Sequence, residues 1–283
     1  MFEFSSDHND EDLFAKIKVI GVGELGAKVI NHALENSVEG VGLAVVDTDN
    51  ATLLNSSAPQ RLKINESDSE DSEDKIKRLI ERTDMIYLVG DLNRKELTLM
   101  IAEKLQNDKI LSLCLVDSAA DSDYINKLKS LFDTVIINDT DNLELMFQAI
   151  RGVTDLIAVP GLVGLDFIDV KDVTSQAGEG CVGYGEASGE NATVEAVKLA
   201  INSIKDKLKN AKGILLNILG SADSLSMMEV NEASTDIQEA VHEDAEIIWG
   251  VTSDETLDDT IKVVILATKF DQNQPSEIQM PTI

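Results

Sequence analysis

The sequence predicts an α/β protein: a parallel sheet covered by helices, then one long central helix, then a smaller mixed α+β part. Three observations predict it. Short apolar runs alternate with amphipathic stretches through the first half, as in a parallel sheet buried on both faces. A helical stretch apolar nearly all round stands at mid-chain, in DNLELMFQAIRGVTDLIAV (141–159). Two long strand-like runs, EIIWGVTSD (246–254) and TIKVVILATKF (260–270), lie close to the end and suggest a mixed sheet.

Residues 1–14 read as a flexible acidic leader. KIKVIGVG (16–23) is a strand ending in glycines, and ELGAKVINHALEN (24–36) is a helix. VGLAVVD (41–47) is a second strand, followed by TDNATLLNS. NESDSEDSED (65–74) has six acids and three serines in ten residues and reads as a solvated, self-repelling loop. DKIKRLIERT, KELTLMIAEKLQN and SDYINKLKSLF are helices, and DMIYLVG (84–90), ILSLCLV (110–116) and TVIIND (134–139) are strands.

The central helix follows. Leu143, Met146, Phe147, Ile150, Val153 and Ile157 recur at helical spacing. Leu145, Ala149 and Leu156 widen the stripe until little polar face remains, so the helix is buried on most sides. Asp141 or Asn142 caps its start, Gly152 weakens it by roughly 1 kcal/mol, and Pro160 with Gly161 ends it. Beyond it, EGCVGYGEASG (179–189) and GILLNILGS (213–221) are strands, and NATVEAVKLAINSIKDKL and MMEVNEASTDIQEAV are helices. The domain reading is 15–141, the helix 142–159, 160–271, and a loose polar tail 272–283.

Composition narrows function. The 283 residues are 43% hydrophobic and 27% charged, as in a globular protein. Aromatics are only 4%, so the core must be aliphatic. A net charge of −28 repels nucleic acid phosphates and anionic lipid, which argues against nucleic acid and against direct membrane binding. Cys114 and Cys181 stand apart in apolar runs and read as reduced core residues of a cytoplasmic protein, with no metal site implied. No apolar run reaches membrane-spanning length.

One motif carries chemistry. Gly21, Gly23 and Gly26 form G-x-G-x-x-G between a strand and a helix. Such a loop approaches a pyrophosphate closely, and Asp47 ends the next strand, where a dinucleotide fold places its ribose-binding acid. An NAD-binding Rossmann oxidoreductase is therefore one reading; a tight strand–helix junction with no ligand is the other. Against NAD, Glu24 puts a carboxylate inside the loop, and the second half shows no constellation for hydride transfer. Its lone histidine, His242, reads as solvated surface.

Residues 152–203 and 211–271 resemble the matching parts of FtsZ, the bacterial tubulin relative. The motifs are PGL followed by DF-DV, then A-G, an Ala- and Val-rich helix, N-I-G, and EVNEA. The resemblance runs back through IKVIGVGELGAKVIN, VVDTDNATLL and DMIYLVG. It implies an FtsZ/tubulin-like fold with a Rossmann-like nucleotide-binding domain, a central helix and a smaller C-terminal domain. It also implies head-to-tail filaments, in which acids after the central helix orient water at the neighbour's GTP. The matching acids here are Asp166 and Asp169, and Gly164 stands where the family has asparagine. On the residues alone, the same pair also reads as an acidic helix start favoured by the helix dipole.

The first half departs from the family pattern. After DMIYLVG the glycine signature GGGTGTG is expected, but the chain reads GDLNRKELTLM, with Gly90 its only glycine. The first glycine loop carries Glu24, Leu25 and Lys28, and NESDSEDSED replaces the loop near the γ-phosphate. DSAADSD has no match for the ribose-gripping arginine and glutamate. Asn138 and Asp139 keep a fragment of the base-binding segment, and Glu144 falls near the base-recognising acid. Arg94 and Lys95 read as exposed helix-start residues, or alternatively as phosphate contacts.

The expectation is thus an FtsZ-like protein with a degenerate GTPase site, related to cell division or the cytoskeleton, a non-hydrolysing partner of FtsZ-like subunits, self or true FtsZ. Residual nucleotide-binding positions are Gly21, Gly23, Gly26, Asp47, Gly90 and Asn138, and no cofactor is expected unless the site still takes GTP. A divergent, polymerising GTPase is the first alternative and the NAD enzyme the second.

Overall fold

The computed structural model describes residues 15–36, 38–65, 69–106, 110–138, 142–159 and 161–271. The expectations for the leader, the tail, residues 66–68, Asp139, Asp141 and Pro160 lie outside the described residues. In chain order the strands are β1 (Ile17–Val22), β2 (Val41–Asp47), β3 (Gln60–Lys63), β4 (Met85–Val89), β5 (Leu111–Asp117), β6 (Thr134–Asn138), β7 (Gly178–Ser188), β8 (Ala211–Gly220), β9 (Glu246–Ser253) and β10 (Thr260–Phe270). The helices are α1 (Gly23–Glu35), α2 (Asn50–Asn55), α3 (Ser69–Ile80), α4 (Lys95–Leu105), α5 (Ser122–Leu131), α6 (Leu143–Ala158), α7 (Phe167–Thr174), α8 (Ala192–Ser203), α9 (Lys205–Leu208) and α10 (Met227–Ala240).

Among the described residues, the ten strands share one sheet, ordered β3-β2-β1-β4-β5-β6-β7-β10-β8-β9. The two halves join where β6 runs parallel to the first residues of β7, Thr134 opposite Gly178. The last two strands are not neighbours: β10 inserts antiparallel between β7 and β8, and β9 lies parallel to β8 at the edge.

Strands buried on both faces explain the unbroken apolar runs. On one face Val19, Val45, Tyr87, Leu113 and Ile136 pack against α1 and α6. On the other, Ile20, Val46, Ile86, Cys114 and Val135 meet α3, α4 and α5. A third cluster puts α8 and α10 over the C-terminal strands.

The helix α6 is the buried central helix expected. Met146, Phe147, Ala149, Ile150, Val153 and Leu156 are buried in the cluster that spans both halves. Its start is capped by Asn142, which accepts from the Leu145 amide at 3.0 Å. Gly152 has a packing reason the sequence did not show: a Cβ there would come within 2.3 Å of Val264 on β10, so only glycine lets the helix lie this close.

One expectation needs correction. The acidic run is a loop only in part, because helix α3 begins at Ser69. Glu70 and Asp71 sit in its first turn, where the helix dipole favours acids, and Lys77 and Arg78 in its last. Ion pairs from Lys75 to Asp71 (2.6 Å) and Lys104 to Glu73 (2.6 Å) relieve the repulsion, and buried Ile76 and Ile80 anchor the helix. The TDNATLLNS stretch, given no element from sequence, holds α2, capped by Asp49, and leads to the edge strand β3.

Candidate functional site

The strand order reverses between β1 and β4, which is where open α/β sheets form their ligand crevice, beyond the carboxyl ends of the strands. Two loops meet there: the glycine loop after β1, and residues 90–94 after β4.

The glycine loop is tight for reasons of its own. A Cβ on Gly21 would lie 2.4 Å from the Gly26 carbonyl oxygen, and one on Gly26 would lie 2.4 Å from the Gly21 carbonyl carbon. These two glycines let α1 close onto β1 whether or not a ligand binds. Gly23 differs: its φ is +69°, and the space over it is filled by Asp91 and Arg94, with Asp91 Oδ2 2.7 Å and Arg94 Cγ 3.0 Å from where its Cβ would be.

Asp91 is the residue that sequence reasoning missed. It is 5% exposed. Its Oδ2 accepts from the Leu25 amide in the first turn of α1, at 3.1 Å. Its Oδ1 accepts from the Asn93 amide at 2.8 Å and the Asn93 side chain at 3.1 Å, capping the 3₁₀ turn Leu92–Arg94. The available signal was an acid directly after a strand at the sheet's switch point. The expectation that Glu24 puts its carboxylate inside the loop is overturned, and the acid that lies there is Asp91. Glu24 points outward, 74% exposed, and pairs with Lys28 at 2.8 Å.

Asp47 ends β2 with its side chain 1% exposed. Its Oδ1 accepts from the Thr48 amide (2.7 Å), the Asp49 amide (3.2 Å) and Arg94 Nε (2.7 Å). Burial raises its pKa, but the bonds from Arg94, the nearby Thr52 hydroxyl and the two amides outweigh burial and hold it below the usual carboxylate range. Oδ2 is buried with no hydrogen-bond partner of normal geometry. Arg94 is raised in turn, first by its bond to Asp47, and its Nη1 donates to the Asn93 carbonyl at 3.0 Å. Neither Arg94 nor Lys95 is the exposed residue expected: both are half-buried, and Lys95 bonds Asp121 at 2.5 Å and sits 4.9 Å over the Tyr124 ring.

Gly90 donates its amide to the Leu115 carbonyl at 2.9 Å and has an ordinary φ, with only van der Waals contact to Thr98. Asn138 ends β6, two strands beyond β4, and its carbonyl accepts from the Ser118 amide. Glu144 binds His32 Nε2 at 3.0 Å and Gln148 at 2.7 Å, with Lys262 at 3.7 Å, tying α1, α6 and β10 together. Burial opposes its charge, but Gln148, His32 and Lys262 together lower its pKa. The crevice therefore brings together Gly21, Gly23, Gly26 and Asp47, adds Asp91 and Arg94, and leaves Asn138 at a distance.

Asp166 and Asp169 lie at the other end of the sheet. Helix α6 finishes with Ala158 against Gly40, just before β2 starts, and the acidic loop follows. Val163 pairs with Val251 of β9 and fixes the loop's path. Asp166 is the N-cap of α7 and Asp169 its third residue, the two forming a capping box in which the Asp166 amide donates to Asp169 Oδ2 at 3.1 Å. Exposed Leu162 and Ile168 flank them.

Both cysteines are free and buried, and burial pushes the Cys181 thiol up to about 12. Among the described residues no group of three or more His, Cys, Asp or Glu is placed to hold a metal ion, and no helix is long and apolar enough to cross a membrane.

Residues 178–271 match the model of the FtsZ family C-terminal domain. A tryptophan-to-tyrosine mutant of FtsZ from M. jannaschii superimposes with TM-score 0.82 at 24% identity, covering 92% of each chain. An empty FtsZ dimer from M. jannaschii gives 0.82 at 22%, over 98% of this chain and 100% of that one. The GTPγS-bound protofilament of CetZ2 from Haloferax volcanii gives 0.68 at 14%, over 91% and 94%. The fold is that of FtsZ: a parallel α/β half, a central helix, and a mixed C-terminal half.

Proposed function

We propose that this chain is a member of the FtsZ/tubulin family that neither holds nor hydrolyses GTP and that acts as a partner or regulator of filament-forming relatives. The observation that carries this reading is the closed crevice. The seat at the start of α1, where a glycine loop meets phosphate, is filled by Asp91, and Arg94 is committed to Asp47. A nucleotide phosphate entering there meets a carboxylate. At 4 Å that repulsion is about 1 kcal/mol in water and about 4 at an effective dielectric of 20. The incoming phosphate also loses the amides and the cation that would offset it.

The opposite end supports the partner role. The start of α7 is fixed by the capping box of Asp166 and Asp169, and exposed Leu162 and Ile168 lie near those acids in the chain. Head-to-tail contacts are heterologous, so a subunit with one working end caps a filament. Docked by that loop on a nucleotide-bearing FtsZ molecule, this chain offers no nucleotide to the next subunit. A charge of −28 makes such docking stronger as salt rises.

The test has two arms. Phosphate release from GTP by the pure chain should equal that of buffer. Substoichiometric chain should shorten filaments of a cognate FtsZ, and Asp166→Ala or Asp169→Ala should alter that effect. Turnover abolished by either substitution would establish the divergent GTPase instead. Cognate filaments that sediment unchanged with equimolar chain, at every salt concentration, would remove the partner role.

A further inference from the structure

We propose that the short helix α9 and the cleft beside it form a docking site for an acidic peptide segment of another protein, whose carboxylates meet the α9 lysines while an apolar side chain enters the cleft. The site lies on the C-terminal half, apart from the crevice at β1 and β4, and does not depend on the function proposed above.

The first observation is one of charge. The chain carries 24 Lys and Arg against 52 Asp and Glu, yet residues 198–212 reverse that balance. They hold Lys198, Lys205, Lys207, Lys209 and Lys212 and a single acid, Asp206. Part of this charge is already matched. Glu179 pairs with Lys207 at 3.1 Å and with Lys129 of α5 at 2.5 Å, and Lys212 pairs with Asp271 at 3.0 Å. Lys205 and Lys209 are exposed and have no ion pair among the described residues. Fully buried Leu208 anchors α9 in the cluster over the C-terminal strands, so these lysines stand on a fixed base.

The second observation is one of shape. Strands β6 and β7 pair only over Thr134–Ile136 and Gly178–Gly180. Farther along β7, the Tyr184 amide donates instead to Ser203 Oγ at the end of α8, at 3.2 Å. A cleft of about 590 Å³ lies there. Ile137, Leu145, Val182 and Ile204 line it, together with the exposed Lys205 and Lys207.

The chemistry of the partner follows from both. Charges are screened beyond about 8 Å at physiological salt, so a bound anion feels the lysines beside it more than distant acids. A short segment keeps its charges within that range. A nucleic acid duplex or a membrane surface extends past the patch onto a chain of net charge −28. The apolar lining of the cleft calls for an apolar side chain, which a peptide has and a phosphate backbone lacks.

The test is the fluorescence anisotropy of a short fluorescein-labelled peptide in which Asp alternates with Leu, titrated with the full chain. Wild type should give a saturable rise. Lys205→Glu combined with Lys209→Glu turns two attractions into two repulsions at exposed positions and should weaken binding about tenfold. Asp206→Asn removes the acid within the patch and should tighten binding about twofold. The same peptide with Ser in place of Leu should bind wild type about tenfold more weakly.

Absence of saturable binding to wild type overturns the proposal, as does a folded Lys205→Glu, Lys209→Glu chain that binds unchanged. Equal binding of the Ser peptide overturns it too, since a bare patch of charge would then suffice. An oligothymidylate that binds wild type more tightly than the peptide overturns it in favour of nucleic acid. Should the double variant not fold, Asp206→Asn and the Ser peptide decide.

Discussion

The starts of α1 and α7 pose the same physical problem and solve it differently. Each helix begins with unpaired amides and a partial positive charge. At α7 the solution is local: Asp166 and Asp169, three residues apart, cap the turn reciprocally. At α1 it is long-range: Val22 contributes nothing, and Asp91 arrives from the loop after β4. A local cap secures one helix. A cap brought from a distant loop also fills the space over Gly23. The lesson is that the start of α7 is met within its own turn, whereas the start of α1 depends on a buried acid from the end of another strand.

The sharpest way to break the comparison is to remove the tight loop itself. Gly21→Ala or Gly26→Ala drives a Cβ to about 2.4 Å from backbone that cannot yield. Either should cost more than about 3 kcal/mol, at or beyond the usual range for overpacking, read as loss of soluble protein or a collapse in urea midpoint. A near-neutral result would mean that the glycines serve a ligand and not the junction.

The second concerns the spine that joins the two ends. Asp155 on α6 is 2% exposed. Burial pushes its pKa up to about 6; Arg151, at 2.7 Å, opposes this, while Asp254 and Glu39 add to it. A raised folded pKa stabilises fully below the unfolded value near 3.8 and is lost as pH rises through 6. The rise from 3.8 to about 6 corresponds to at most about 3 kcal/mol between the low-pH and high-pH limits. Asp47 and Asp254, both lowered, contribute the opposite slope, lost as pH falls through the normal carboxylate range. Urea unfolding between pH 4 and 7 should show wild type losing ground to Asp155→Asn as pH rises. Parallel curves would contradict the assignment.

The third concerns the Arg94–Asp47 pair beside Gly23. Arg94→Ala leaves Asp47 buried without its cation. Breaking a buried pair costs about 3–5 kcal/mol, reduced here to about 2 by the exposure of Arg94 and the two amides that remain on Asp47. Adding Asp47→Asn should recover most of the loss. Absence of rescue would show that Arg94 acts by packing over Gly23.

The smallest effect belongs to α7. Asp166→Ala and Asp169→Ala should each cost about 1 kcal/mol, the value of a cap, in denaturant melts. A gain in stability would mean that the acids are held there against their own repulsion for another purpose.

What could be read from the residues follows from the range of the interactions. Strands such as KIKVIGVG and the helix α6 were legible because burial writes a pattern along the chain. The start of α3 was not, since its acids read as self-repelling until Lys75 and Lys104 are seen beside them. Edge strand β3, QRLK, is mostly exposed and carries no apolar signal. The glycine spacing was visible, but the Gly21–Gly26 contact behind it was not. The Asp91 contact to Leu25 and the Arg94 contact to Asp47 span 66 and 47 residues and leave no local trace.

The central claim is that the crevice of the unaltered chain is closed to nucleotide. Its most direct test is the melting transition of the wild-type chain with and without GTP at high concentration. A ligand at a hundred times its dissociation constant stabilises by about 2.7 kcal/mol, a shift easily seen. The closed crevice predicts a melting temperature unchanged by GTP. A clear upward shift would contradict it.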